Sequence, residues 1–146
     1  MSGCTPPEEL VGYGAVLEYK NPLTDAWVTV GGTKDLSLPE RTRGALETTS
    51  GASGRWRKYR PGVMREQGAV TYDMNFIKSQ WFVLNAMVND DVIYEWRVVQ
   101  MEDPEQFYYQ FCGFVINLGD EFPMEELVTS SIEIQPSGAP SWGNLV

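Results

Sequence analysis

The stretch AVTYDMNFIKSQWFVLNAMVNDD, residues 69–91, changes its apolar spacing halfway along and so decides the class of fold. In the first eight residues, the apolar side chains alternate with polar ones and share one face of a predicted strand: Val70, Tyr72, Met74 and Phe76. In the next segment, the apolar side chains recur at i, i+4, i+7 and i+11 and form one helical stripe: Ile77, Trp81, Leu84 and Val88. The pattern therefore predicts a strand followed directly by a helix that lies on a sheet.

The sequence before this stretch predicts three strands and then a long segment without periodicity. Strand-forming residues in 12–20 and 27–32 flank the turn sequence NPLTDA, which is typical of a hairpin. The alternation in DLSLPE predicts a further strand that ends at Pro39, because proline cannot donate to a central ladder. From 39 to 68 neither a period of 2 nor one of 3.6 is sustained, and glycine recurs there. We therefore expect a long irregular loop, which in a compact domain usually has a function.

The sequence after the helix predicts three more strands, at residues 92–100, 106–119 and 126–138. The turn sequences EDPEQ and GDEFPMEE separate them. The predicted fold is mainly β: an antiparallel β-sandwich or barrel with one flanking α-helix and a long irregular loop.

The domain organisation follows from the same pattern and from the chain length. We expect a single domain over residues 1–146. Its predicted parts are an N-terminal arm (1–11), the long basic loop (39–68), the helix (77–88) and a C-terminal arm (139–146).

The residue types that most enzymes use are scarce in this chain. It has no histidine, and its two cysteines, Cys4 and Cys112, do not have metal-ligand spacing. The acidic pairs Asp90/Asp91, Asp120/Glu121 and Glu125/Glu126 each lie in a turn sequence, where solvated carboxylates are expected. GYG and GASG lack the Lys-Ser/Thr pair of a phosphate-binding loop. The sequence therefore predicts no catalytic residue, no metal site and no cofactor.

The N-terminal sequence MSGCTPPEEL has no basic start followed by an apolar run, so it does not resemble a secretory signal. Apolar runs such as WFVL stop far short of the roughly 20 residues that a membrane-spanning helix needs. We expect the protein to be made and folded in the cytosol without inserting into a membrane.

Positive charge is concentrated in one segment of a chain whose formal net charge is −9. Residues 41–65 contain seven of the eleven basic residues and a single acid, Glu47, so that segment carries +6 and the rest of the chain −15. Trp56 and Tyr59 are interleaved with the cations. This composition suits a nucleic-acid grip, in which cations neutralise phosphates and rings stack on bases. It equally suits a protein–protein contact, because Arg, Trp and Tyr dominate hot spots.

A second aromatic cluster lies in the strand predicted at 106–119. Its members are Phe107, Tyr108, Tyr109, Phe111 and Phe114. Exposed sheet aromatics stack bases in single-strand binders, but this strand contains no basic residue. The composition favours packing in the core and across strands.

The order of these features resembles the tail tube protein (major tail protein) of long, flexible-tailed bacteriophages. In that family a Pro-Gly element before a Gly-led strand closes a long loop; the matching stretch is YRPGVMREQGAVTYDMNF, residues 59–76. The last strand of the family ends with Gly, Pro and an aromatic residue, matched by Gly138, Pro140 and Trp142 in SSIEIQPSGAPSW. The resemblance covers nearly the whole chain in order.

The resemblance implies a non-enzymatic structural subunit of the virion tail. Family members form hexameric rings that stack into a tube, and DNA leaves through the lumen without specific binding. Other tail components bind the tube ends. The long loop reaches the adjacent ring, so the basic segment is interpreted as a contact for the acidic surface of the next copy. The predicted contact residues are Arg41, Arg43, Arg55, Trp56, Arg57, Lys58, Tyr59, Arg60, Pro61 and Arg65.

A lumen lined by carboxylates repels the phosphates of DNA and lets the genome slide, whereas a basic lining holds it. The candidates for this lining each lie within a predicted strand: Asp73, Glu95 and Glu133. The alternative hypothesis is a nucleic-acid-binding β-barrel whose Arg/aromatic loop clamps a strand.

Overall fold

The computed structural model describes residues 12–146, which contain eight β-strands and one α-helix. The elements in chain order are β1 (Ala15–Lys20), β2 (Trp27–Val30), β3 (Arg41–Glu47), β4 (Tyr59–Gln67), β5 (Val70–Asn75), α1 (Lys78–Val88), β6 (Tyr94–Gln100), β7 (Phe107–Glu121) and β8 (Thr129–Asn144). The N-terminal arm predicted for residues 1–11 lies outside the described residues.

Six of these strands form one antiparallel sheet in the order β2-β1-β6-β7-β8-β5. The two edges of the sheet meet, because the chain that leaves β2 runs beside β5. There the Asn75 amide donates to the Gly32 carbonyl and the Lys34 amide donates to the Asp73 carbonyl, each at 2.9 Å. The sheet therefore closes into a barrel, and closure removes the open edges of its outer strands.

The barrel encloses a core built from alternate residues of every strand. Its least exposed large side chains are Leu17, Val30, Tyr72, Met74, Trp96, Phe111, Ile132 and Ile134. The indole of Trp96 donates to the Gly113 carbonyl at 3.2 Å, so its one polar group is satisfied inside the barrel. The predicted inward face is confirmed for Val70, Tyr72 and Met74, but Phe76 is only partly buried and lies after β5. Of the aromatic cluster in residues 106–119, Tyr109 and Phe111 are confirmed as core residues, whereas Phe114 is exposed.

The helix α1 packs against β7, and its buried residues are Leu84 and Met87. The prediction of a helix at 77–88 is confirmed, with Ile77 as its N-cap. The predicted stripe is wrong at its two ends, because Ile77 and Val88 are exposed. The buried face of α1 instead follows Leu84 and Met87, so the stripe is displaced by one residue at its C-terminal end. None of the helices in residues 12–146 is long and apolar enough to span a membrane.

One side chain of α1 also bonds to the edge of the barrel. The Gln80 side-chain amide accepts from the Gly31 amide at 2.7 Å and donates to the Gly31 carbonyl at 3.2 Å. This pair of bonds satisfies the backbone polar groups of Gly31, just after β2, and holds the helix at the place where the barrel closes.

The prediction of an irregular loop at 39–68 is wrong for most of its length. Strands β3 and β4 pair antiparallel from Arg41–Gln67 to Glu47–Tyr59, with a change of register between Arg43 and Ala45. Only the tip, residues 48–58, remains irregular, and it includes a 3₁₀ turn at Gly51–Ser53. Every residue of β3 is exposed, so the sequence lacks the alternation that reveals a strand with one buried face.

Two further segments differ from the sequence predictions. Residues 35–40 form no strand, although Leu36 and Leu38 pack against the core. Most of the predicted C-terminal arm belongs to β8, which pairs with β7 as far as Asn144 opposite Phe107. The sequence of this last part is polar and rich in glycine, so it lacks the alternation of apolar residues that predicts a strand.

Candidate assembly interface

The hairpin formed by β3 and β4, residues 41–67, carries all the predicted contact residues and is called the basic hairpin here. All ten of these side chains are exposed, and Trp56 exposes 82% of its surface. Residues 12–146 form two ion pairs, Lys20 with Glu95 and Arg97 with Glu18. Neither involves the hairpin, so none of its cations forms an ion pair with a carboxylate of residues 12–146.

The base of the basic hairpin is fixed to the barrel by Gln67, which is buried. Its side-chain amide accepts a hydrogen bond from the Tyr109 hydroxyl at 2.6 Å and donates to the Gly138 carbonyl at 3.1 Å. The Arg41 guanidinium lies 5.1 Å from the centre of the Tyr109 ring, within cation–π range. The hairpin is therefore held at one end by β7 and β8, while its tip is exposed.

The two strands of the hairpin approach closely where their register changes. A Cβ atom on Gly62 would lie 2.7 Å from the Gly44 carbonyl oxygen, closer than real side chains allow. The Arg43 Nε–H donates to the Gly62 carbonyl at 2.7 Å and so closes the same region. Glycine at position 62 is a condition for this pairing.

The exposed surface of the hairpin is both charged and apolar. Val63 and Met64 each expose more than four fifths of their surface, and Tyr59 and Leu46 more than half. A ribbon of two strands is marginally stable alone and gains stability when its face is covered. Exposed apolar groups beside arginines are typical of a contact surface.

A groove of about 730 Å³ lies between the basic hairpin and the second half of β8. Arg41, Val63 and Arg65 line it from the hairpin, and Pro140 and Trp142 line it from β8. The Trp142 ring stacks on Tyr109, with ring centres 6.4 Å apart and planes 6° from parallel. Sequence reasoning missed this groove, because its two walls are 68 or more residues apart in the chain.

The structure brings together two of the three predicted lumen carboxylates. Asp73 on β5 and Glu133 on β8 lie on the outer face of adjacent strands, where Asp73 is opposite Ser131. Glu95 lies apart on β6, opposite Cys112 of β7, and its carboxylate is 3.4 Å from Lys20 Nζ. Burial, with a smaller contribution from Glu95, raises the pKa of the Cys112 thiol. The ion pair with Lys20 partly neutralises Glu95, whereas Asp73 and Glu133 form a separate acidic area.

Sequence reasoning also missed two acids beside Asp73. Asp73, Asp120 and Glu121 line one surface depression, and Lys34 is the cation among its lining residues. The sequence shows these two acids side by side in GDEFP, but the pattern there predicts solvated turn residues. Because β8 pairs with β7 on one side and with β5 on the other, the two acids on β7 lie one strand away from Asp73 on β5.

Comparisons with known proteins identify the fold. No protein-family model and no curated protein sequence matches the chain. A chain in the tail of an empty gene transfer agent particle, refined with C6 symmetry, is similar with a TM-score of 0.74 at 13% identity, covering 92% of this chain and 99% of that one. A chain of the anti-feeding prophage baseplate, six-fold symmetrised, is similar with a TM-score of 0.76 at 5% identity, covering 97% and 99%.

The SPP1 tail tube provides a third similar structure, with a TM-score of 0.68 at 10% identity, covering 94% of this chain and 81% of that one. At these identities the similarity establishes the fold. The chain therefore has the fold of the SPP1 tail tube subunit, and the resemblance to tail tube proteins is confirmed at the level of the fold.

Proposed function

We propose that the protein is a structural, non-catalytic subunit of a bacteriophage tail tube. Six copies form a ring, and rings stack into a tube whose lumen conducts the genome during ejection into the host. The observation that carries this proposal is the similarity over nearly the whole chain to chains of a gene transfer agent tail, an anti-feeding prophage baseplate and the SPP1 tail tube, the first two six-fold symmetric by description. The subunit is made in the bacterial cytoplasm and incorporated into the virion tail, where other tail components bind the tube ends.

The basic hairpin is the proposed contact between rings. Its seven cations have no ion-pair partner among residues 12–146, and the rest of the chain is strongly acidic. A second copy supplies the missing negative charge. Trp56 and Tyr59 are the proposed anchors, because large exposed rings lose much water-accessible area when they are covered.

The proposed lining of the lumen is acidic, and DNA passes through it without specific binding. Asp73 and Glu133 lie together on the outer face of the barrel, and Asp120 adds to the charge near Asp73. Repulsion between these carboxylates and the DNA phosphates keeps the genome from adhering. Glu95 is the third proposed lumen residue and is the one already paired with a lysine.

The experiment that tests this function is assembly of the purified protein, observed by negative-stain microscopy. We expect rings or tubes of uniform diameter from the wild type. The variant Arg57→Glu/Lys58→Glu should fold but not stack, because reversed charges repel the acidic partner surface by about 1–3 kcal/mol at each contact. The control, Lys78→Glu, reverses an exposed cation on α1, outside the hairpin and outside the acidic area around Asp73, and should still stack.

The alternative, a nucleic-acid-binding barrel, is tested on the same proteins by filter retention of DNA. The exposed Trp56 and Tyr59 among arginines are the features that favour it. We expect negligible retention of DNA by the wild type. Retention that falls steeply with added salt, from a wild type that forms no tubes, would replace the proposed function with this one.

A further inference from the structure

The turn between β7 and β8 combines negative charge with exposed apolar side chains. Residues 121–127, EFPMEEL, are called the acidic turn here; their three carboxylates have no ion-pair partner among residues 12–146. Phe122, Met124 and Leu127 are among the most exposed apolar side chains, and Met124 is fully exposed. The preceding acid differs, because Asp120 accepts hydrogen bonds from Trp81 at 2.9 Å and Ser130 at 2.5 Å. Apart from the Phe122 ring, whose centre lies 5.7 Å from that of Phe76, the acidic turn is therefore an exposed surface among residues 12–146.

The groove beside the basic hairpin has the opposite composition. Arg41 and Arg65 supply two cations against one carboxylate, Glu66, and Pro140 and Trp142 supply an apolar surface. The remaining hairpin cations extend the positive charge away from the groove. The groove and the acidic turn are thus complementary in charge, and both contain apolar groups that gain from being covered.

The subunit's own turn does not reach its own groove. The acidic turn ends one residue before Val128 and two before Thr129, where β8 begins, whereas the part of β8 that lines the groove begins at Gln135. Six strand residues span about 20 Å, so the two features lie well apart along β8. The start of β8 pairs with the end of β5, whereas the hairpin leads into the beginning of β5. The acidic turn and the hairpin therefore lie at opposite ends of β5. A head-to-tail arrangement of two copies brings one copy's turn to the other's groove.

We propose that the acidic turn of one copy occupies the groove of a second copy in the adjacent ring. The carboxylates of Glu125 and Glu126 meet Arg41 and Arg65, and the apolar side chains of the turn cover Trp142. This inference rests on the proposed function, since it names the partner surface of the basic hairpin and groove in a stacked tube.

The test compares the critical concentration for tube formation, measured by pelleting and negative-stain microscopy. Reversal of the turn, Glu125→Lys/Glu126→Lys, changes two exposed side chains and should leave the subunit folded. We expect it to raise the critical concentration about tenfold or more, because like charges then face each other across the contact. The matched control, Asp91→Lys/Glu102→Lys, also reverses two exposed acids and should change it by less than about twofold.

Compensation identifies the partner surface. Adding Arg41→Glu/Arg65→Glu to the reversed turn should bring the critical concentration back to within about threefold of the wild type. If that variant does not fold, because Arg41 contacts Tyr109, then Arg65→Glu alone takes its place. A reversed turn that assembles like the wild type contradicts the contact, and so does a folded compensating variant that does not recover.

Two other results are distinguishable from these. If residues 1–11 fill the groove, their deletion raises the critical concentration and reversal of the turn does not, which overturns the proposed contact. If the wild type forms no tubes under any condition, the proposed function itself fails, and the contact fails with it.

Discussion

Two tyrosines in the barrel differ in what their hydroxyl groups contact. Tyr109 donates to Gln67 at 2.6 Å, whereas the Tyr72 hydroxyl is buried and has no hydrogen-bond partner among residues 12–146. Burial also raises the pKa of Tyr72 well above its ordinary value, since a charged phenolate is disfavoured there. A buried hydroxyl without a partner loses its bonds to water and gains nothing in exchange.

This difference predicts opposite effects of the same substitution. Tyr109→Phe should lower the free energy of unfolding by about 1–2 kcal/mol, because it leaves the buried Gln67 amide without its donor. Tyr72→Phe should leave the free energy unchanged or raise it by up to about 1 kcal/mol. Urea denaturation of both variants measures the difference. Equal losses from the two would show that the Tyr72 hydroxyl has a partner.

At the level of elements, the basic hairpin is a two-stranded sheet separate from the barrel, and we expect its stability to be separable as well. Gly62 permits the close approach of its two strands, since a side chain there collides with the backbone of Gly44. Gly44 itself faces open space, so an alanine fits at that position.

The Gly62→Ala variant should therefore weaken the hairpin locally, by about 1–3 kcal/mol, and leave the barrel almost unchanged. Amide exchange of β3 should accelerate, while the exchange of β6 and β7 should not. Gly44→Ala is the control on the opposite strand and should have little effect. Faster exchange throughout the barrel would mean that the hairpin and the barrel unfold together.

The hairpin also marks the limit of what the sequence predicts about elements. Strand β5 was predicted because one face is buried, which places Val70, Tyr72 and Met74 at every second position. Strands β3 and β4 show no such alternation, since almost all their residues are exposed, and so the sequence does not predict them. The cations and rings of the interface were found from composition, but the groove was not, because it depends on how β4 lies beside β8.

On the scale of the whole molecule, the hairpin tip at 48–58 lies beyond the bonds that fix the hairpin base. We expect amide exchange within seconds at this tip in the free subunit, slowed about tenfold or more in assembled tubes, because stacking covers it. Hydrogen-exchange mass spectrometry of both states measures this. Barrel peptides from β6 serve as the internal control and should not change. Unchanged exchange at the tip would place the ring contact elsewhere.

The separation of the basic hairpin and the acidic turn along the barrel gives the proposed tube two chemically different ends. One terminal ring presents unpaired cations, and the other presents unpaired carboxylates with exposed Phe122, Met124 and Leu127. Growth by head-to-head addition would place like charges together, so every ring joins in the same orientation. The two proteins that terminate such a tube must then differ: the one at the hairpin end needs an acidic docking face, and the one at the turn end needs a basic one.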